Sequence, residues 1–370
     1  MSEETEPRRR SCSSLLIPSL LIIFPPALPS PVPPLIPHVA PPVWPTGLRQ
    51  GRFAATIVQN RPELTEHEGG GASAELSKCR VALLGIPDDT GVELNHGRPG
   101  AKGGPAAFRA ALAKYGVAIP ADEGDSPAYP RVFDAGDIVI GRDIHETHDR
   151  VTEATLAILE RGLFPIAIGG GHDLTFAFVR GVARGGAHGM MGGVYIDAHL
   201  DVRPEVGSGM PFRALVEGGF ATGLACIGLN PMVNTREHAE YFKAKGGRIF
   251  GGRGGMPEVF DAGGGAMFVS LDMDVFDASA APGVSAPNPC GLLPREVERL
   301  VARAGRSSAV RCFDIMELNP RFDPVGRTGR LAAHMFLTFL RGLGERDAAA
   351  GAGGRASLFE DGADEQRGGA

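Results

Sequence analysis

The chain has 370 residues, 43% of them hydrophobic, which suffices for one large α/β domain with a sizeable core. A net charge of −6, with no long basic run, leaves no electrostatic footprint for nucleic acid, and no apolar run is long enough to span a bilayer. The expected partner is therefore a small molecule, with no nucleic acid and no membrane.

At the N-terminus Arg8, Arg9 and Arg10 precede an apolar run over residues 15–24, and a proline-rich stretch then continues to Trp44-Pro45. A basic segment followed by an apolar one is the pattern of an export signal, but Pro18 interrupts the run and no Ala-x-Ala site follows. Residues 1–72 are expected to be a disordered proline-rich extension and are set aside from the fold, with export the lesser alternative. Five cysteines, Cys12, Cys79, Cys226, Cys290 and Cys312, lack CxxC spacing, and their odd number argues against a complete disulfide framework. A reducing, cytoplasmic compartment is expected.

From residue 73 to 345 apolar runs alternate with helical patterns. Residues 81–86 predict a first strand, and Gly104-Pro105 opens a helix running through Phe108, Arg109, Leu112 and Tyr115. Further strands are predicted over 164–168, 193–196, 225–228, 267–271 and 310–315, and helices over 150–161, 235–245 and 294–304. Continuously apolar strands alternating with helices predict an α/β fold whose mostly parallel sheet is covered on both faces. No internal repeat is present, and the segment from about Gly344, rich in Gly, Ala, Asp and Glu, predicts an unstructured tail over 346–370.

Six candidate metal ligands fall into three clusters, each after one of the apolar runs: His172; Asp197, His199 and Asp201; Asp272 and Asp274. In Asp-Ala-His-Leu-Asp and Asp-Met-Asp the ligands are two residues apart, so a strand's period of two points them to one face. In a parallel sheet ligands bind beyond the carboxyl ends of strands, where all six are expected. Carboxylates in excess over imidazoles, with no cysteine, make a hard site that suits Mn²⁺ better than a structural zinc. Two such ions roughly 3.5–4 Å apart would make a water nucleophilic near neutral pH. Either aspartate pair alone is equally well read as chance or as a helix cap; three clusters together are not.

These residues carry a resemblance. Gly169-Gly170-Gly171-His172-Asp173, Asp197-Ala198-His199-Leu200-Asp201 and the stretch from Ser270 to Asp277 resemble the three signature motifs of the ureohydrolase family of arginases, agmatinases and formimidoylglutamases, over roughly residues 78–342. The resemblance implies a three-layer α/β/α arginase-like fold with two Mn²⁺ per subunit, and leaves room for a homo-oligomer. It assigns His172 and Asp201 to one ion, His199 and Asp274 to the other, and makes Asp197 and Asp272 bridges. Where arginases and agmatinases carry a proton-shuttling histidine this chain has Ser208, which resembles the formimidoylglutamase branch, as do Pro87–Val92, 95–101, 281–287 and 314–320. Gly171 departs from the acidic residue many relatives carry before the first metal histidine.

The reaction implied is hydrolysis of N-formimino-L-glutamate to L-glutamate and formamide. Glu317, past the last predicted strand, is the candidate to face the cationic formimino group, Asp201 to move the proton, and Arg203 and Ser208 to bind the glutamate end. Glu317 is alternatively a salt-bridge partner of Arg321 or Arg327, Arg203 a loop cap, and Ser208 a turn stabiliser. Asn230 and Asn234 line the rim or form turns. His96 reads as a residue of a glycine-rich loop, with contact to the substrate the lesser alternative, and His145 and His148, three apart near a predicted helix start, read as exposed helix positions, with metal binding the lesser alternative. Two alternatives remain open: a urea-releasing agmatinase, guanidinobutyrase or arginase, and a catalytically silent metal-stabilised binding module.

Overall fold

The computed structural model describes residues 35–61, 64, 74–116, 129–186, 189–251, 258–260 and 265–360, the last ten by backbone alone. The basic and apolar segment at residues 8–24 lies outside the described residues. Two short strands, β1 (Val39–Ala40) and β2 (Val58–Gln59), precede β3 (Val81–Ile86), α1 (Thr90–Leu94), α2 (Gly104–Leu112), β4 (Val132–Ile138) and α3 (Ile144–Glu160). There follow β5 (Phe164–Gly169), α4 (Leu174–Gly185), β6 (Met191–Ile196), α5 (Pro211–Glu217), β7 (Ala221–Ile227), α6 (Arg236–Ala244) and β8 (Arg248–Phe250). The chain then builds β9 (Met267–Asp272), α7 (Pro294–Arg306), β10 (Val310–Met316) and α8 (Arg327–Glu360).

The strands form one sheet in the order β1-β4-β3-β5-β10-β9-β6-β7-β8, with β2 beside β4, and every described pairing is parallel except β1 with β4. Alternation along each strand feeds two cores. Leu83, Val194 and Ile196 pack with Phe108 of α2, Leu300 of α7 and Phe336 and Phe339 of α8. Leu84, Ile86 and Tyr195 pack on the other face with Val151 of α3, Phe178 of α4, Phe212 of α5 and Phe242 of α6. Phe108 and Phe336 meet edge to face at 5.3 Å between ring centroids, and each buried aromatic contributes ~1.5–3 kcal/mol. Helices thus cover both faces, giving three layers. No helix among the described residues is long and apolar enough to cross a membrane.

Four differences from the sequence reading have physical causes. Residues 35–61, set aside as part of the extension, belong to the same unit as the rest: Ile36, Phe53 and Ile57 are buried in the cores, and β1 pairs with β4. Strand β4 escaped the sequence reading because Asp134 and Asp137 break its apolar run. Arg109 of α2 clamps both, with Nε and Nη2 on Asp134 at 2.8 and 2.9 Å and Nη1 on Asp137 at 2.6 Å, while Trp44 Nε1 adds a bond to Asp134 at 2.9 Å. Helix α3 starts six residues before the predicted 150, because Asp143 caps it by accepting from Glu146 N at 2.9 Å. Helix α8 runs past Gly344 instead of ending there. Glu345 pairs with Arg306, Arg346 donates to Ser307 and Val310 carbonyls, and Asp347 pairs with Arg80, so tertiary contacts hold a segment whose composition looked loose.

Candidate metal centre

Four neighbouring strands in the middle of the sheet, β5, β10, β9 and β6, end at one place. His172 follows β5, Glu317 follows β10, Asp272 closes β9 with Asp274 just beyond, and Asp197, His199 and Asp201 follow β6. These turns are fixed by hydrogen bonds within them and between them. Asp197 Oδ1 accepts from His199 N at 2.6 Å, Asp272 Oδ1 from Asp274 N at 2.7 Å, and Glu317 Oε1 from His172 N at 2.9 Å. Two of these residues adopt the left-handed backbone region, Asp201 at φ 46° and Glu317 at φ 64°, strain of the kind that collects at functional sites.

The six expected ligands come together as two overlapping groups: His172, Asp197, Asp201 and Asp272, and Asp197, His199 and Asp274. His172 Nδ1 lies 3.3, 3.0 and 3.0 Å from carboxylate oxygens of Asp197, Asp201 and Asp272, and His199 Nδ1 lies 3.1 Å from Asp274 Oδ2. Asp197 therefore sits between the groups as a bridge would, whereas Asp272, the other expected bridge, falls in the His172 group alone. His172 Nδ1, Asp197 Oδ2 and Asp274 Oδ1 are buried without a hydrogen-bond partner, although each group's ligand atoms lie within 4.8 Å of one another. Such buried atoms demand a ligand. An oxygen-rich donor set with one imidazole per group fits two hard divalent cations.

The electrostatics agree. Burial works against the His172 and His199 imidazolium ions, but the carboxylates around them outweigh it and push both well above the ordinary histidine range. Burial raises Asp272 well above the usual carboxyl range, Asp274 to about 6 and Glu317 to about 8, and Asp201 rises as well. Burial would raise Asp197 too, yet His172 and His199 hold it at about 2. A bound cation inverts this logic, holding carboxylates ionised and imidazoles neutral.

His172 is set by its surroundings. Its Nε2 bonds Ser270 Oγ at 2.9 Å, Ser270 Oγ donates to Asp314 Oδ1 at 2.5 Å, and Phe212 meets the imidazole ring edge to face. The chain departs from many relatives at Gly171, where a Cβ would fall 2.7 Å from Asp173 Oδ1 and 3.1 Å from Val92 Cγ2. The space a side chain would need is filled by Asp173, whose other oxygen bonds His148 Nε2 at 2.8 Å. His148 is thus buried against the first motif, not exposed as expected, because its place on α3 faces α4; His145 is exposed as expected.

A cavity of about 310 Å³ opens onto the cluster. Its lining includes His199, Asp201, Asp272, Asp274 and Glu317 together with Arg203, Ser208, His96 and Asn234. Glu317 makes no ion pair with Arg321 or Arg327 among the described residues, and its Oε2 is buried and unpartnered. Asn234 lines the cavity but also braces the His199 turn, accepting from Leu200 N and donating to Ala198 O and Asn230 O at 2.8–2.9 Å. Asn230 is a turn former that accepts from Met232 N. Asn95 and Arg98, from the 95–101 segment whose resemblance singles out neither side chain, line the same cavity, as does His238 of α6, which sequence reasoning missed. Nothing local marks His238, which only the packing of α6 against the loops brings to the cavity.

A parallel α/β sheet bearing two overlapping carboxylate–imidazole groups at its carboxyl edge has the architecture of a dinuclear metallohydrolase. A profile of the arginase family matches residues 79–341, and the chain belongs to that family. It is 35% identical over 295 residues to a formimidoylglutamase of Ralstonia nicotianae, covering 73% of this chain and 87% of that protein. A crystal structure of Trypanosoma cruzi formiminoglutamase with Mn²⁺ superimposes with a TM-score of 0.67 at 32% identity, over 72% of this chain and 94% of that one. Proclavaminate amidino hydrolase from Streptomyces clavuligerus superimposes with a TM-score of 0.64 at 29% identity, over 72% and 93% of the two chains.

Proposed function

We propose that the protein hydrolyses N-formimino-L-glutamate to L-glutamate and formamide, with two Mn²⁺ per chain held by His172, Asp197, His199, Asp201, Asp272 and Asp274. The observation that carries this reading is the two-signed cavity: its lining joins the buried carboxyls of Asp272, Asp274 and Glu317 and the half-buried Asp201 with the exposed Arg203, while Arg98 in the same lining spends its guanidinium on the Val284 and Ser285 carbonyls. A formimino cation at one end and carboxylates at the other match that division. When bound, the metal ions make water nucleophilic near neutral pH and stabilise negative charge in the transition state.

The side chains do the rest. Glu317 has one oxygen tied to the His172 amide and the other unpartnered, so it is oriented to take the formimino N–H groups. That contact places the formimino carbon over the clusters. Water adds there, the bond from carbon to the glutamate nitrogen breaks, and the leaving amine takes a proton that Asp201 is positioned to hand over. Arg203 receives a substrate carboxylate and Ser208 donates its hydroxyl to the same end. The relatives named formimidoylglutamase support the substrate, and the Trypanosoma cruzi structure with Mn²⁺ supports the metal. A cytoplasmic setting belongs to this reading, supported by the free thiols of Cys79, Cys226, Cys290 and Cys312.

The test is a turnover assay of the Mn²⁺-loaded protein on N-formimino-L-glutamate beside arginine, agmatine and 4-guanidinobutyrate. Formamide from the first substrate is the expected product. Urea from a guanidino compound instead would move the protein to a urea-releasing branch of the family.

A further inference from the structure

The loop after α1 and the loop after β6 meet at the cavity rim through one side-chain pair. Arg203 Nη1 donates to Asn95 Oδ1 at 2.7 Å, and both residues line the cavity. The backbone ties the loop after β6 to α1 independently of that pair, Ser208 N donating to Gly91 O at 2.9 Å, and Arg203 N donates within its own loop to Gly209 O at 2.8 Å. Removing the Asn95 side chain therefore leaves the loops tied. The Arg203 stem lies against Gly209, where a Cβ would fall 2.8 Å from Arg203 Cδ and 3.1 Å from Nε. Glycine there lets the arginine lie flat along the rim.

The identity of the acceptor matters. A guanidinium carries five N–H donors in a fixed fork; Asn95 takes one, and Arg203 has no carboxylate partner among the described residues. A neutral amide oxygen orients the fork without compensating its charge. An aspartate of nearly the same shape would make an ion pair with Arg203 and repel an incoming carboxylate.

We infer that Asn95 is a specificity-determining positioning residue: it holds the Arg203 guanidinium at the rim, with its charge uncompensated, for one carboxylate of a formimino dicarboxylate. The inference rests on the substrate reading above, and adds the residue that makes Arg203 selective for an anionic substrate.

The experiment compares the Mn²⁺-loaded wild type with Asn95→Asp, Asn95→Ala, Arg203→Ala and the Asn95→Asp/Arg203→Ala double variant. Each is assayed on N-formimino-L-glutamate and on N-propylformamidine, which keeps the amidine and lacks both carboxylates. Asn95→Asp is expected to raise KM for formiminoglutamate by about tenfold or more, with most of the effect in KM rather than kcat, and Asn95→Ala to raise it by about threefold. The preference for formiminoglutamate over N-propylformamidine, as a ratio of kcat/KM, falls with Asn95→Asp by about tenfold. On the Arg203→Ala background Asn95→Asp adds less than about twofold, since the partner through which it acts is gone. An unchanged KM in Asn95→Asp, equal losses on both substrates, or full additivity in the double variant would each overturn the role. A wild type that releases no formamide from formiminoglutamate overturns the substrate reading itself, and that result is visible without any variant.

Discussion

Two of the buried charge clusters among the described residues are built on opposite rules. Around Arg109 the chain supplies every partner: one guanidinium meets Asp134 with two donors and Asp137 with a third, and Trp44 completes Asp134. Burial pushes the Asp137 carboxyl up, and Arg109 beside it works the other way. At the metal centre five carboxylates, Asp197, Asp201, Asp272, Asp274 and Glu317, face two imidazoles, and three of those carboxylates keep a buried oxygen without a partner. A cluster that closes on itself holds structure; one left with surplus negative charge is completed from outside.

The sharpest way to break that comparison is to remove the carboxylate common to both metal groups. Asp197→Asn is expected to keep the fold by circular dichroism, lose at least one Mn²⁺ per chain by metal analysis, and lower turnover by more than the roughly 100-fold that loss of an outer-shell partner costs. Two retained ions with near-normal turnover would show that the cluster needs no bridge. The matching change in the closed cluster is Arg109→Met, which leaves two buried carboxylates without their cation. It is expected to cost about 3–5 kcal/mol in denaturant unfolding while turnover per folded molecule stays at the wild-type value. Lost turnover at unchanged stability would assign the cluster around Arg109 a functional part.

The clusters also differ in how far the sequence reveals them. All six metal-group residues follow apolar runs at carboxyl strand ends, which was enough to bring them to one site, but Asp197, His199, Asp201 and Asp274 lie in the turns beyond β6 and β9, so those turns and not a strand's period of two make them converge. The Arg109 cluster joins residues 25 and 28 positions apart, and its aspartates hid the strand that carries them. Residues 35–61 were hidden for a similar reason: proline-rich composition masked Ile36, Phe53 and Ile57, whose burial is decided by the sheet and helices they reach. At the cavity rim Arg203 and Ser208 were legible from their motif. Asn95 was legible only as part of the 95–101 match, without a role, and His238 not at all, since it owes its place to packing and carries no spacing of its own.

A milder probe acts one layer out. Ser270 joins His172 Nε2 to the buried Asp314 carboxyl, which burial raises to about 7. Ser270→Ala removes the bond that fixes the ring while sparing every metal donor, and is expected to weaken Mn²⁺ binding by ~10–100-fold in competition with a chelator. Unchanged affinity would mean that packing against Phe212 orients the ring by itself.

The smallest expected effect is a slope, and it tests the surplus charge directly. Burial carries the Glu317 carboxyl from its usual 4.5 to about 8 and Asp274 from 3.8 to about 6. Between those values the native state keeps protons that the unfolded chain has released, so stability falls as pH rises through the window. The raised His172 and His199 act with the same sign from 6.5 upward, while Asp197, held near 2, opposes it only below 3.8. Chelator-treated protein should therefore melt a few degrees lower at pH 8 than at pH 5. Metal binding needs the same groups deprotonated, so the rise in melting temperature on adding Mn²⁺ should grow over that interval. A Mn²⁺ increment that is flat with pH would mean that the carboxylates are already compensated within the chain, and the distinction between the open and closed clusters would fall.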